Sequence, residues 1–267
     1  MVRRLSLIVV LSSLLWWPGI ARAQGQPGEG PRAEMLLYCG ITMVKPMTEI
    51  AQAFEKRENV RIVIAQGGSE DLYQSAKKSG VGDLYLPGEP SYRERHLAEG
   101  LLGEYVTVGY NQMALIVQKG NPKRVKADPR ELLRRDLVAI IGNAESGSVG
   151  LEAKAILDKL GIYPRVVKAA AFLAADTRSL MLAMRRGEAD VTMSWRATGF
   201  FPENAEKLDV IDLPSQLARP QPLLLNLLKT SRHVDLARRF MSYAAGDEGQ
   251  AIFRRYGFHD NRFNVRH

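Results

Sequence analysis

Twice between Leu36 and Asp83 a short apolar stretch runs into a glycine-bearing turn and then an amphipathic stretch, and this order constrains the fold more than any other feature. The first unit is Leu36-Leu-Tyr-Cys-Gly-Ile-Thr42 and the second Val60-Arg-Ile-Val-Ile-Ala-Gln-Gly-Gly-Ser69, each with a hydroxyl near the helix start. Similar turns return at Gly142 to Gly150, which include Ser148 and Val149, and at Asp176-Thr177-Arg178. Helix N-termini expose unpaired N–H groups and partial positive charge, so four of them converging on one cleft suit a small oxyanion.

The remaining pattern continues the alternation. Met47, Ile50, Ala51 and Phe54 form the apolar stripe of a first helix, with Pro46 in its first turn. Short strands are predicted at Gly82–Leu86, Met113–Val117, Leu137–Ile141 and Ala189–Met193. Ala153, Ile156, Leu157 and Leu160 give a helix closed by Gly161, and Asp176 to Arg186 one stopped by Gly187. Two terminal helices follow, Val234 to Ala245 and Glu248 to Tyr256, with Asp247 as the expected N-cap. Strands alternating with helices argue for an α/β architecture of mainly parallel sheets.

The N-terminus reads as a secretory signal: Arg3 and Arg4, the apolar run Leu5 to Leu15, and cleavage after Ala23 in Ala21-Arg22-Ala23. The run is too short to span a bilayer. Residues 24–33, rich in Gly and Pro, form an expected disordered lead-in. Removing Arg3, Arg4 and Arg22 lowers the formal charge from +8 to +5, a mild bias that draws in anions. No basic run interleaved with aromatics points to nucleic acid. The single cysteine, Cys39, lies inside the first strand, which excludes an internal disulfide and a lipid-anchoring cysteine directly after the signal. His96, His233, His259 and His267 show no metal-ligand spacing.

In these segments, together with Gly82-Asp83-Leu, Lys119-Gly-Asn-Pro122 and the tail Gly246-Asp-Glu-Gly-Gln-Ala-Ile-Phe-Arg-Arg-Tyr-Gly-Phe258, the chain resembles the type II periplasmic solute-binding proteins. The likeness is greatest to the molybdate-binding proteins of ABC importers. It implies a two-lobed α/β fold, each lobe a mainly parallel sheet flanked by helices. Residues 34–110 and 218–267 would form lobe 1 and residues 111–217 lobe 2, behind a signal peptide at 1–23. It further implies a periplasmic monomer that captures a molybdate-like or tungstate-like oxyanion and presents it to an ABC permease. No cofactor, resident metal or catalytic residue is implied.

By the same resemblance Thr42 and Ser69 would offer hydroxyls, Val149 and Thr177 backbone amides, and Trp195 an indole N–H where relatives place a tyrosine. Gly68, Ser148 and Arg178 are secondary candidates. The chain departs from its relatives in the bulkier turn Tyr-Cys-Gly-Ile-Thr42, in Trp195, and in the acids Glu70 and Asp71 directly after Ser69. Each candidate also has a plain structural reading: Ser69 and Thr42 as helix caps, Val149 and Thr177 as packing residues, Trp195 as a buried anchor, Arg178 as a solvated arginine. Two rival functions stay open at this level, a binding protein docking on a sensory receptor and an exported enzyme for a small anion. No Ser/His/Asp order or paired carboxylate supports the enzyme.

Overall fold

The computed structural model describes Arg32 to Phe263. The expected signal peptide, its cleavage point and the lead-in up to Pro31 lie outside the described residues, as do residues 264–267. The chain first lays down β1 (Ala33–Gly40), α1 (Val44–Glu55), β2 (Val60–Gly67), α2 (Ser69–Ser79), β3 (Leu84–Leu86), α3 (Ser91–His96) and β4 (Leu102–Asn111). It then crosses to a second body made of β5 (Met113–Gln118), β6 (Ala139–Gly142), α4 (Ser148–Lys159), α5 (Tyr163–Ala169), β7 (Leu173–Ala174) and α6 (Thr177–Arg185). That body is completed by β8 (Val191–Trp195), α7 (Arg196–Gly199), α8 (Pro202–Ala205) and β9 (Leu208–Asp212). The return strand β10 (Gln221–Leu228) leads into α9 (Val234–Ala245) and α10 (Asp247–Arg255).

Two five-stranded sheets result, in the orders β2-β1-β3-β10-β4 and β7-β6-β8-β5-β9. The two-lobed α/β class therefore holds, but each sheet is mixed instead of mainly parallel. β2, β1 and β3 run parallel while β10 is antiparallel to β3 and β4; β7, β6 and β8 run parallel while β5 is antiparallel to β8 and β9. The cause is topological. In each lobe the fourth position is filled by the strand arriving from the other lobe, which enters from the opposite end.

Helix stripes pack as their spacing dictates. α1 buries Met47, Ile50, Ala51 and Phe54 against the first sheet, and Phe54 meets Phe240 of α9 edge to face at 5.2 Å between centroids. α4 buries Ala153, Ile156 and Leu157, while Leu160 falls one residue beyond the helix as its C-cap. Gly161 and Gly187 follow α4 and α6 at φ 65° and 72°, where a side chain would be strained. Asp247 is not an N-cap: Gly246 holds that position, and the Asp247 carboxylate pairs with Arg262 on the surface. No helix among the described residues is long and apolar enough to cross a membrane.

The two lobes are joined with little slack. Only Gln112 separates β4 from β5, and the Asn111 side chain, 1% exposed, accepts from the backbone N–H of both Gln112 and Ala197. The tail reaches the same region, where the Arg196 guanidinium donates to the Gly257 carbonyl at 2.5 Å and Tyr110 pairs with His259. α9 and α10 pack on the first sheet and on α1. Within α10, a Cβ at Gly249 would run into the backbone carbonyl of Ala244. The helix-propensity gain of Gly249→Ala, at most about 1 kcal/mol, is smaller than the overpacking cost of about 1–3 kcal/mol. Chemical denaturation should therefore show a less stable variant; equal or higher stability would mean that this contact yields freely.

Candidate anion-binding site

Parallel register decides where the site lies. Gly40 at the end of β1 is the partner of Gly67 at the end of β2, and Gly142 of β6 is the partner of Ala174 of β7. In each lobe two adjacent strands thus stop at one level and release their chains into helix starts on the same edge, the edge where ligands sit in open α/β sheets. The two edges face each other and enclose a cavity of about 30 Å³, walled by residues of both lobes that include Thr42, Ser69, Gly88, Ser148, Val149 and Thr177. A volume of that order takes a group of a few atoms.

Each turn is built differently. At the first, Ile41–Met43 makes a single 3-10 turn before α1 begins at Val44, with Pro46 buried in the first helical turn. Thr42 is therefore no cap of α1; it is buried and lines the cavity. At the second turn Gly68 is the N-cap and Ser69 the first helical residue, so the cap reading of Ser69 is also set aside. The Ser69 hydroxyl, 3% exposed, accepts from the Gly88 N–H at 2.9 Å and keeps its own proton to donate. At α4 the N-cap is Gly147, followed by Ser148 and Val149. At α6 the Asp176 carboxylate caps the helix by accepting from the Ser179 N–H at 2.7 Å, which leaves Thr177 buried at the cavity wall.

Trp195 and Arg178 stand apart from the cup. Trp195 is 1% exposed and absent from the wall; its indole N–H points at the Ser148 hydroxyl, 3.3 Å away. Arg178 reaches across the lobes and donates to the Gln66 side-chain oxygen at 2.8 Å. Glu70 turns to the outer face of α2, where it meets Gln74, His96 and Arg95. Burial works against its charge, but these partners outweigh it and hold the carboxyl below the ordinary range. His96 is itself buried between Glu70 and Glu99 and stacks on Tyr73, a structural role that its sequence position did not disclose. Cys39 is fully buried, and burial pushes its thiol far above the ordinary range, so it is no nucleophile.

Gly88 is the residue that sequence reading missed. It follows β3, the third parallel strand, and lies between the hydroxyls of the two lobes. A Cβ there would stand 2.5 Å from Ser148 Oγ and 3.1 Å from Ser148 Cβ. The available signal was its place after a third apolar strand, but nothing local distinguishes it from an ordinary loop glycine. Among the wall residues none is cationic, and Asp176, the one acid, is engaged as a cap. The cup thus offers hydroxyls, amides and helix-start dipoles, an arrangement that compensates a small anion without a full counter-charge. Among the described residues no group of three or more His, Cys, Asp or Glu side chains is placed to hold a metal ion.

The fold and this cup define a ligand-binding protein of the two-lobed kind. Residues 35–259 match the family of bacterial extracellular solute-binding proteins, and the chain belongs to it. It is similar to the molybdate-binding protein ModA of Escherichia coli, with 20% identity over 242 residues, covering 84% of this chain and 88% of that one. Among solved structures, the sulfate-binding protein SubI of Mycobacterium tuberculosis superposes with a TM-score of 0.75 at 18% identity, covering 85% of this chain and 86% of SubI. A periplasmic thiamin binding protein superposes with a TM-score of 0.73 at 16% identity, covering 90% and 86%. At such identities these structures establish the shared fold and not a ligand.

Because Gly88 faces Ser148 across the cleft, Gly88→Ala should keep the lobes from closing while leaving each lobe folded. Small-angle scattering should give a larger radius of gyration for the variant than for the parent. A radius unchanged from the parent's would show that the contact is not a condition of closure.

Proposed function

We propose that this chain is the substrate-binding component of an ABC importer, working outside the cytoplasmic membrane, and that its solute is a small oxyanion held in the cup between the lobes. The observation that carries the reading is the wall of hydroxyls and helix starts with no cationic side chain. Hydroxyls and amides set on helix starts suit a tetrahedral oxyanion, whose oxygens accept from several such donors at once. The relationship to ModA makes molybdate and tungstate the first candidates. Another anion presenting the same tetrahedral face fits the same donors, and a cavity of about 340 Å³ that shares Thr42 and Thr177 with the cup leaves room for one that carries more than the tetrahedral group.

In this reading Thr42 and Ser69 donate hydroxyls, Val149 and Thr177 supply amides, and Gly68 and Ser148 complete the ring. Trp195 acts one bond removed, by orienting the Ser148 hydroxyl. Arg178 acts through its hydrogen bond to Gln66, which holds the lobes together. Closure around the anion would give the permease a surface to recognise, as in hinge-bending binding proteins generally.

A thermal-shift screen of the mature protein against molybdate, tungstate, sulfate, phosphate and neutral solutes tests the ligand class. A ligand at a hundred times its Kd stabilises by about 2.7 kcal/mol, or about 5–10 °C for a domain of this size. Tetrahedral oxyanions should give shifts of that order; a response confined to an amino acid or a sugar would overturn the reading. Thr42→Val and Ser69→Ala should each weaken binding of the best oxyanion by about 1–3 kcal/mol. Titration calorimetry finding parental affinity in both variants would return these hydroxyls to packing roles.

A further inference from the structure

Beside the cup lies a second cavity of about 340 Å³, more than ten times larger, and the two share Ile41, Thr42 and Thr177 as a common wall. Its remaining walls come from both lobes, Val44, Lys45 and Gln66 from one and the α6 to α8 region from the other. The floor is apolar: Met181 and Phe201 are 4% and 6% exposed. The rim carries Lys45, Arg178 and Arg185 against a single carboxylate, Glu203. Lys45 takes that carboxylate directly, and Arg185 stands 3.9 Å from it. Arg178 forms no ion pair with a described residue and gives one guanidinium nitrogen to the neutral amide of Gln66. Arg185 likewise gives one nitrogen to the amide oxygen of Asn204 at 3.0 Å. Both guanidinium forks keep N–H donors for another acceptor.

A bare oxyanion seated in the cup would leave this floor and rim unused. An apolar floor beneath a cationic rim, sharing Ile41, Thr42 and Thr177 with an anion site, has the make-up of a small-molecule pocket with one end wet and charged. We propose that the natural solute is a small organic acid with two anionic ends. Its tetrahedral head, a phosphonate or sulfonate, sits in the cup, a short carbon chain lies over Met181 and Phe201, and a carboxylate is received by Arg178 and Arg185. The inference rests on the oxyanion reading of the cup and names the class of molecule that carries the oxyanion. Planar carboxylates match a guanidinium fork better than an ammonium, which is why the two arginines and not Lys45 are assigned the second end.

The test compares ligands that share a head and differ in the second end: methylphosphonate with 3-phosphonopropionate, and methanesulfonate with 3-sulfopropionate, each titrated into the mature protein by calorimetry. The carboxylated member of at least one pair should bind ten times tighter or better, and the pair that does so identifies the head. In Arg178→Gln and Arg185→Gln that ratio should fall toward one. The ratio is the informative quantity, because a substitution that only loosens lobe closure weakens both members alike. Equal affinities within both pairs in the parent protein would overturn the proposal, as would a ratio that survives both substitutions; the arginines would then serve only to steer anions inward. Binding of molybdate or sulfate with no organic ligand bound would overturn it too, while leaving the oxyanion reading intact. Failure of every anion would remove both.

Discussion

Everything about the cup depends on the parallel hydrogen-bond register at the carboxyl edges of two strand pairs. Because Gly40 stands opposite Gly67 and Gly142 opposite Ala174, each lobe presents two helix starts at one height, separated by a single strand spacing of about 4.8 Å. A one-residue slip in either pair would reverse every side chain of the strand and withdraw one of the four turns. The donors proposed for the cup are therefore backbone amides fixed by the sheets and hydroxyls on short side chains of the same turns. This explains how the site does without a cation: buried counter-charges carry a desolvation cost, whereas backbone amides at helix starts are held in place by the fold itself.

The same register explains which parts of the molecule could be read from the amino-acid order. The stripe of α1, that of α4 apart from Leu160, the span of α9, the glycines that close α4 and α6, and the strand-turn-helix units around Thr42 and Ser69 all follow from spacing within a dozen residues, and they stand where the spacing puts them. The antiparallel half of each sheet did not, since β10 pairs with β3 and β4 across more than a hundred residues and its direction is set by the crossing between lobes. Gly88 was missed for a related reason. Its importance comes from a contact with Ser148, sixty residues on and in the other lobe, and no local pattern encodes that meeting. Trp195 was assigned to the wall by analogy with a tyrosine, but as the last residue of β8 it stays under the surface and reaches the cup only through Ser148. Asp247 was assigned as a cap because aspartate favours that position, yet the extended backbone of Gly246 already supplies it.

The two lobes repeat one design with no repeat of sequence. In both, the second strand is flanked by two parallel neighbours, the fourth position goes to the strand from the other lobe, and the last strand lies at the edge. The four turns of the cup are accordingly two pairs of equivalent positions, β1 and β2 in one sheet answering to β6 and β7 in the other. The third parallel strands also correspond, and their ends supply Gly88 on one side and Trp195 on the other, the two groups that bracket the Ser148 hydroxyl.

That a single residue, Gln112, separates β4 from β5 has a mechanical consequence. Residues 102–118 run as one nearly unbroken ribbon through both sheets, and its midpoint is clamped by the Asn111 side chain and by the Gln112 carbonyl, which accepts from the Arg196 N–H. Such a ribbon behaves as a stiff lever with a short flexure. A bend at Gln112 turns one whole lobe against the other and so opens or closes the cup between them. Met113 is the register partner of Trp195, whose indole donates to the Ser148 hydroxyl, so the span from Tyr110 to Met113 governs how accurately the turns of one lobe meet those of the other.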